Sequence, residues 1–358
     1  MRSFLVLILL AVLTVQPGCA TTKKALPEAG PLTIRKAGVL PKTFRPEKGE
    51  KAAIRWSQSR QAVTAVEIHR ENGELIRHFE KFYPAGDHTV QWDGKDDAAQ
   101  PVGPDVYLYT IRSRDKEGNE TSHDPSLTTG GEELKVERFT FDKEKHRFDF
   151  IMPRAGRARL RIGLSPNPHL RTLLNWEPLE GGTHTLEWDG LDESGWIRAI
   201  DHPNLSIYLV AFALPDNAII AEGTRKETVP VSSTQPPRDP QRDLYLHAAH
   251  DRANCRDMTV NVDFPNATKD AEGIPILDEK TTVRVRLNDS DRSFMVNQRF
   301  EVMFYVDSVF LFEEEDGQDP FNFEWNTNGL APGEHLLTVN LIGYEDHYGV
   351  KTLRVVKR

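Results

Sequence analysis

The sequence predicts an all-β protein of three consecutive β-sandwiches behind an N-terminal export signal. Three observations lead there. A ten-residue stretch occurs twice, as "HTVQWDGKDD" from His88 and as "HTLEWDGLDE" from His184. Apolar residues come in short runs that alternate with polar ones, the period-2 pattern of a sheet with one buried face. No convincing amphipathic helix is found, and Pro or Gly interrupts most of the runs.

A chain of 358 residues is too long for one small domain and suggests two or three. Its 45 basic and 54 acidic residues, net −9, argue against a nucleic-acid partner, because phosphate binding needs a concentrated positive face. A hydrophobic content of 38% is modest, yet its clustering in strand-like runs is enough to build cores.

The N-terminus comes first in chain order. Arg2 supplies a positive charge, and Phe4 to Val15 is apolar except for Thr14. That run is too short to span a bilayer and has the flanks of a secretory signal. It ends at "QPGC", which resembles the lipobox of bacterial lipoproteins. The resemblance implies a signal peptide over 1–18, a lipid on Cys19 and a polar tether over 19–35. Ala20 rather than aspartate after the cysteine implies an outer-membrane address. Cys255 is the one other cysteine, so with Cys19 acylated no disulfide forms and the cores must hold the fold.

The duplication extends well past ten residues. Ile54-Arg55-Trp56 aligns with Phe148-Asp149-Phe150, and Ala65-Val66-Glu67-Ile68 with Arg159-Leu160-Arg161-Ile162. Gly86, Trp92 and Asp96 align with Gly182, Trp188 and Asp192, and "VYLYTI" (106–111) aligns with "IYLVAF" (207–212). A period near one hundred residues fits a sandwich rather than a solenoid repeat. "AVEIH" and "LIRHF" flank Glu71-Asn72-Gly73-Glu74, and Asn-Gly is the strongest short hairpin signal. Linkers rich in Pro, Ser, Thr and Gly separate the first repeat (36–124) from the second (132–231), and a linker over 232–243 precedes a third unit.

The third unit, 244–358, has strand-like runs at "MTVNVDF", "TTVRVRL", "RFEVMFYV", "HLLTVNLIGY" and "VKTLRVV". It lacks the Trp-Asp-Gly motif, but "FEWNTNGLAPGEHLLTVNL" reads as tryptophan, turn and strand in another order. It carries 12 basic and 20 acidic residues, nearly the whole net charge. Much of that acidity lies in "FEEEDGQD" (312–319), read as a solvated hairpin tip that keeps an edge from aggregating.

The pattern Gly-x-His-x-x-x-Trp-Asp-Gly-x-Asp, followed by a loop and an alternating strand, resembles the Ig-like module of the flagellar hook-capping protein. That module also occurs in many exported bacterial proteins. The resemblance covers about 50–115 and 145–215 and implies an Ig-like β-sandwich for each repeat; the third unit looks like a bacterial Ig-like domain more generally, so that three tandem Ig-like β-sandwich domains are expected, the third divergent. The resemblance implies little about function, since folds host many functions, and nothing else here suggests a flagellar role.

Candidate sites compete with structural readings. Asp93 and Asp96, with their counterparts Asp189 and Asp192, would be calcium ligands if enough oxygens converged; a turn built on Asp-Gly accounts for them more simply. His247 and His250 near Cys255 suggest a metal, yet residues three apart on a strand face opposite ways. Trp196 in "ESGWIRA" and Tyr344, His347 and Tyr348 in "GYEDHYG" fall on expected loops, where aromatic faces stack on sugars or anchor a protein. No nucleophile elbow, phosphate-cradling loop or catalytic cysteine signature occurs, so neither an enzyme nor a cofactor is expected. The expected function is a non-catalytic, membrane-anchored surface or periplasmic scaffold or adhesion lipoprotein with a protein or polysaccharide partner. Two alternatives are a metal-dependent hydrolase of envelope polymers acting through the third unit and a calcium-stabilised adhesin.

Overall fold

The computed structural model describes residues 30–223, 255, 257–295, 299–343 and 347–358. The signal, Cys19, the 232–243 linker, His247, His250 and Tyr344 lie outside the described residues. The regular secondary structure of the rest is nearly all strand, arranged as three sandwiches.

The first sandwich begins with β1 (Ile34–Leu40), β2 (Thr43–Phe44), β3 (Ala52–Gln58) and β4 (Ala62–Arg70). It continues through β5 (Leu75–Tyr83), β6 (Gly86–Trp92), β7 (Asp105–Arg114) and β8 (Glu120–His123). One sheet runs β1–β3–β6, and β4 joins β5 to β7 in the sheet opposite. Trp56, Trp92, Tyr107 and Tyr109 fill the space between them.

The second sandwich contains β9 (Glu137–Asp142), β10 (Arg147–Met152), β11 (Gly156–Leu164) and β12 (His169–Leu179). After them come β13 (Gly182–Glu187), β14 (Leu205–Ala213) and β15 (Ala218–Ala221). Its sheets run β9–β10–β13 and β12–β11–β14. The duplication therefore holds strand for strand. β3 and β4 are the middle strands of their sheets, as β10 and β11 are of theirs, and the paired partners β6 and β7 match β13 and β14.

One strand departs from the boundary at 132–231. β15 lies in the first sandwich, antiparallel to β7 and parallel to β2. Its four residues "AIIA" are buried on both faces, which explains an apolar run without alternation. Ile219 and Ala221 enter the core of the first sandwich. Ala218 and Ile220 join Val106, Leu108, Ala155 and Leu214 in a cluster shared by both domains.

In the third sandwich β16 (Asp257–Met258), β17 (Val260–Asp263), β18 (Thr268–Lys269), β19 (Pro275–Leu277) and β20 (Lys280–Leu287) come first. A six-residue helix α1 (Asp289–Phe294) follows, its first turn capped by the Asn288 side chain. Then come β21 (Phe300–Val306), β22 (Val309–Gly317), β23 (Phe321–Asn326), β24 (Gly333–Gly343) and β25 (Tyr348–Lys357). The sheet β17–β20–β23 faces a larger one running β18–β19–β25–β24–β21–β22.

Two expectations for this domain change. The acidic run is no hairpin tip: Phe312–Glu315 lie within β22, the edge strand of the larger sheet. Charge on that edge opposes pairing with another chain, as the reading of the run required. Trp325, turn and strand follow the same order as in the repeats, not another one. Trp325 sits near the end of β23, which pairs β20 as β6 pairs β3, and β24 then takes the central place of β7.

Candidate functional site

The repeated motif builds a loop, hydrogen bond by hydrogen bond. Trp92 Nε1 donates to the Lys95 carbonyl at 2.9 Å, and Trp188 Nε1 donates to the Leu191 carbonyl at 2.9 Å. Gly94 and Gly190 have φ of +74° and +84°, and a Cβ on either would strike Pro46 or Ile200. The next carboxylate then folds the loop. Asp96 Oδ1 accepts from Gln100 N at 2.7 Å, and Asp192 Oδ1 accepts from Trp196 N and Ile197 N at 2.7 Å each. Asp115 and Asp270 use the same device, each accepting from a backbone N–H four residues on.

The candidate calcium ligands are thus employed singly. Asp192 is buried and fully engaged by backbone donors. Asp189 accepts from Leu191 N and from Arg171 at 2.7 Å. Burial pushes its carboxyl up, but those two partners prevail and hold it below its ordinary value. Asp93 is half-buried. Among the described residues no group of three or more His, Cys, Asp or Glu side chains is placed to hold a metal ion. Replacing Asp192 by alanine is expected to cost about 2–3 kcal/mol, because buried N–H groups lose their acceptor. Asp192→Asn keeps a carbonyl oxygen in place and is expected to retain most of that, with Asp93→Ala within about 0.5 kcal/mol of the parent. Urea titration of the three variants measures this. A calcium loop would instead show Asp192→Asn as damaging as Asp192→Ala, and only when calcium is present.

The Gly-x-His that opens the repeated motif has a third copy that the sequence reading missed. His88 Nε2 bonds the Pro84 carbonyl, His184 Nε2 the Glu180 carbonyl and His335 Nε2 the Ala331 carbonyl, each at 2.8 Å. Each histidine follows a glycine by two residues, and Gly86, Gly182 and Gly333 have φ of +126°, +128° and +134°. The signal was the shared Gly-x-His of "GDH", "GTH" and "GEH". The third copy opens β24 rather than the strand matching β6, which hid it from alignment.

The outward face of β11 carries the joints between domains. Residues two apart on a strand share a face, and Arg157, Arg159 and Arg161 do so. Arg157 is buried and reaches Glu71 of the first sandwich, with Asp105 at 2.7 Å and the Trp176 carbonyl at 2.9 Å. Burial disfavours its charge, but the two carboxylates outweigh that and raise its pKa. Glu71, a residue of the expected Asn-Gly hairpin, is pushed up by its own burial despite Arg157. Arg159 stacks over Trp176 at 4.6 Å. Arg161 lies over the Tyr348 ring of the third sandwich at 3.5 Å.

The predicted aromatic loop converges on this second joint. Tyr348 opens β25 and meets His169 at 5.2 Å between ring centroids. Trp196 is 50% exposed, with Arg354 over its ring at 5.3 Å. His347, expected on an exposed loop, is instead fully buried, because the chain there returns into the sheet beside Gly343. Asn340 bonds both backbone groups of His169, at 2.9 and 2.8 Å, and Ser194 Oγ accepts from Thr352 N at 2.9 Å.

Beside these contacts a cavity of about 290 Å³ opens between the second and third sandwiches. His169, Thr172 and Glu193 line it from one side, and Asp257, Tyr348 and Lys351 from the other. Thr172 Oγ1 bonds His169 Nε2 at 3.3 Å and also the Asp257 carboxyl. Asp257 keeps contact with solvent at the mouth, yet the surrounding protein pushes its carboxyl up to about 6, against the pull of Arg161 and Thr172. Burial, with Arg161 and Arg159, holds His169 down to about 3, so its imidazole is neutral. The two shifts oppose each other. The raised acid favours docking at low pH and loses that as pH rises through about 6. The depressed base disfavours docking as pH falls below its ordinary value. The larger of the two shifts is that of His169, so on balance docking weakens as pH falls below the ordinary histidine range.

No family model and no curated protein sequence matches the chain. Among solved structures, an endo-β-1,4-mannanase from Thermotoga petrophila aligns at 16% identity over 34% of this chain, TM-score 0.21; the alignment spans 24% of the mannanase. FlgD from P. aeruginosa aligns at 14% identity over 34% of this chain and 83% of its own, TM-score 0.22. Fibronectin(III)-like modules of Clostridium thermocellum CbhA align at 9% identity over 91% of this chain and 94% of theirs, TM-score 0.20. Overlays this loose add nothing to the strand pairing, and it is the pairing that makes the protein a tandem array of Ig-like sandwiches.

Proposed function

We propose that the chain is a non-catalytic scaffold of the cell envelope, tethered to a membrane through Cys19 and presenting its outer domains to a protein or polysaccharide partner. The supporting observation is how the domains are joined. Flexible display would need only solvated linkers, whereas here a strand that follows the second domain completes a sheet of the first and a buried arginine closes the joint. Such joints suit a spacer that holds its far end at a fixed distance and orientation. The lipobox-like "QPGC" supplies the tether, and a multiply acylated cysteine there meets the need for more than one buried chain in stable anchoring.

Fractionation tests the tether. The parent is expected in the membrane fraction and released by detergent, and Cys19→Ala is expected in the soluble or secreted fraction with unchanged unfolding. Retention of Cys19→Ala in washed membranes would remove the basis of the tethered reading.

A further inference from the structure

We infer that the cavity between the second and third sandwiches binds one sugar ring of an envelope glycan, with the chain of that glycan running outward to Trp196. This rests on the scaffold reading and gives its partner a chemical class.

The lining selects the ligand. Asp257 and Glu193 are acceptors, Lys351 is a donor, and the hydroxyls of Thr172, Thr259 and Ser194 stand among them. Two carboxylates repel an anion such as phosphate. Lys351, with Arg161 behind Tyr348, disfavours a small cation. An apolar ligand finds few apolar walls, chiefly Met258, Val260 and Val350. A neutral molecule with many hydroxyls satisfies both donors and acceptors, since its O–H groups donate to carboxylates and its oxygens accept from Lys351.

Size and surroundings agree. The volume is at the lower end of small-molecule sites, suited to a single ring rather than a larger ligand. Neutral His169 and its bond to Thr172 fix the inner wall without adding charge. Ser194 of the lining accepts from Thr352 N, and Arg354 lies two residues further along the same face of β25, roughly 7 Å at ordinary strand rise. Trp196 lies at that outer position, one side covered by Arg354 and half its surface open, so its ring offers a platform for a following sugar.

The test titrates four probes into the full chain: glucose, N-acetylglucosamine and the linear β-1,4 tetrasaccharide of each. Calorimetry and saturation-transfer NMR are the readouts. At least one tetrasaccharide is expected to bind saturably with Kd of about 0.1–1 mM. Asp257→Asn and Glu193→Gln, from opposite sides of the cavity, are each expected to weaken it about tenfold. Trp196→Ala is expected to weaken a bound tetrasaccharide several-fold and leave its monosaccharide unchanged. Unfolding midpoints of the three variants, all at solvent-reachable positions, separate lost binding from lost structure. Absence of saturable binding by all four probes at about 10 mM, or binding indifferent to the three substitutions, overturns the proposal. Membrane fractionation is independent of these titrations, so a failure here leaves the tethered scaffold standing, and a failure there leaves the sugar site standing.

Discussion

Arg157→Met is expected to destabilise the joined first and second sandwiches by about 3–5 kcal/mol, a fall in Tm of roughly 10 °C. The guanidinium is buried against the Glu71 carboxylate, with Asp105 and the Trp176 carbonyl completing its hydrogen bonds. Methionine fills much of the volume but leaves Glu71, itself buried, without a partner in a medium that opposes charge. The double variant Arg157→Met with Glu71→Leu is expected to recover most of the loss, since replacing both members of a buried pair is often neutral. Asp105 is less buried and finds water when Arg157 is gone. Guanidinium titration followed by tryptophan fluorescence reads all three proteins. A loss below about 1 kcal/mol for Arg157→Met would mean that water reaches the cluster and that the joint is looser than its geometry implies.

Much of the architecture was written in local patterns. Alternation in "HTVQW" and "VYLYTI", the Asn72-Gly73 hairpin and the Trp-Asp-Gly turns each depend on neighbours within a few residues, and each appears where the sequence placed it. What escaped is non-local. "RARLR" alternates as a solvated face does, and nothing within it distinguishes arginines that meet water from arginines that clamp two other domains. Glu71 reads as a turn residue until Arg157, far along the chain, covers it. β15 is four residues long, too short to show any period, and its partners lie more than one hundred residues away. Within the candidate site, Tyr348 and Trp196 were legible as aromatics near loops. His169, Thr172 and Asp257 carry no motif, and only the docking of two domains brings them together.

The strand exchange gives the other large effect. A polypeptide ending near residue 130 contains the whole first repeat as the sequence delimits it, yet it is expected not to fold cooperatively. Without β15, the first half of β7 loses the ladder from Asp105 to Leu108, and β2 loses its one strand partner. Ile219 is fully buried among Trp92, Tyr107 and Tyr109, and its removal opens that core to water. In the intact chain the same dependence shows in single substitutions. Ile219→Ala is expected to cost about 2–5 kcal/mol, within the range for buried isoleucine. Ile220→Pro is expected to cost about 3 kcal/mol or more, because it deletes the donor to the Lys42 carbonyl at 2.8 Å. Hydrogen exchange localises the damage. Amides of β7 and β2 should lose protection first in both variants, although each substitution lies beyond the second repeat's last core strand. A fragment ending near residue 130 that unfolds cooperatively with parent-like stability would show that β15 merely covers the first sandwich. Loss of folding there, with recovery in a fragment extended to Gly223, is what a shared strand requires: the first two sandwiches are then one cooperative unit, and a rigid base for the third.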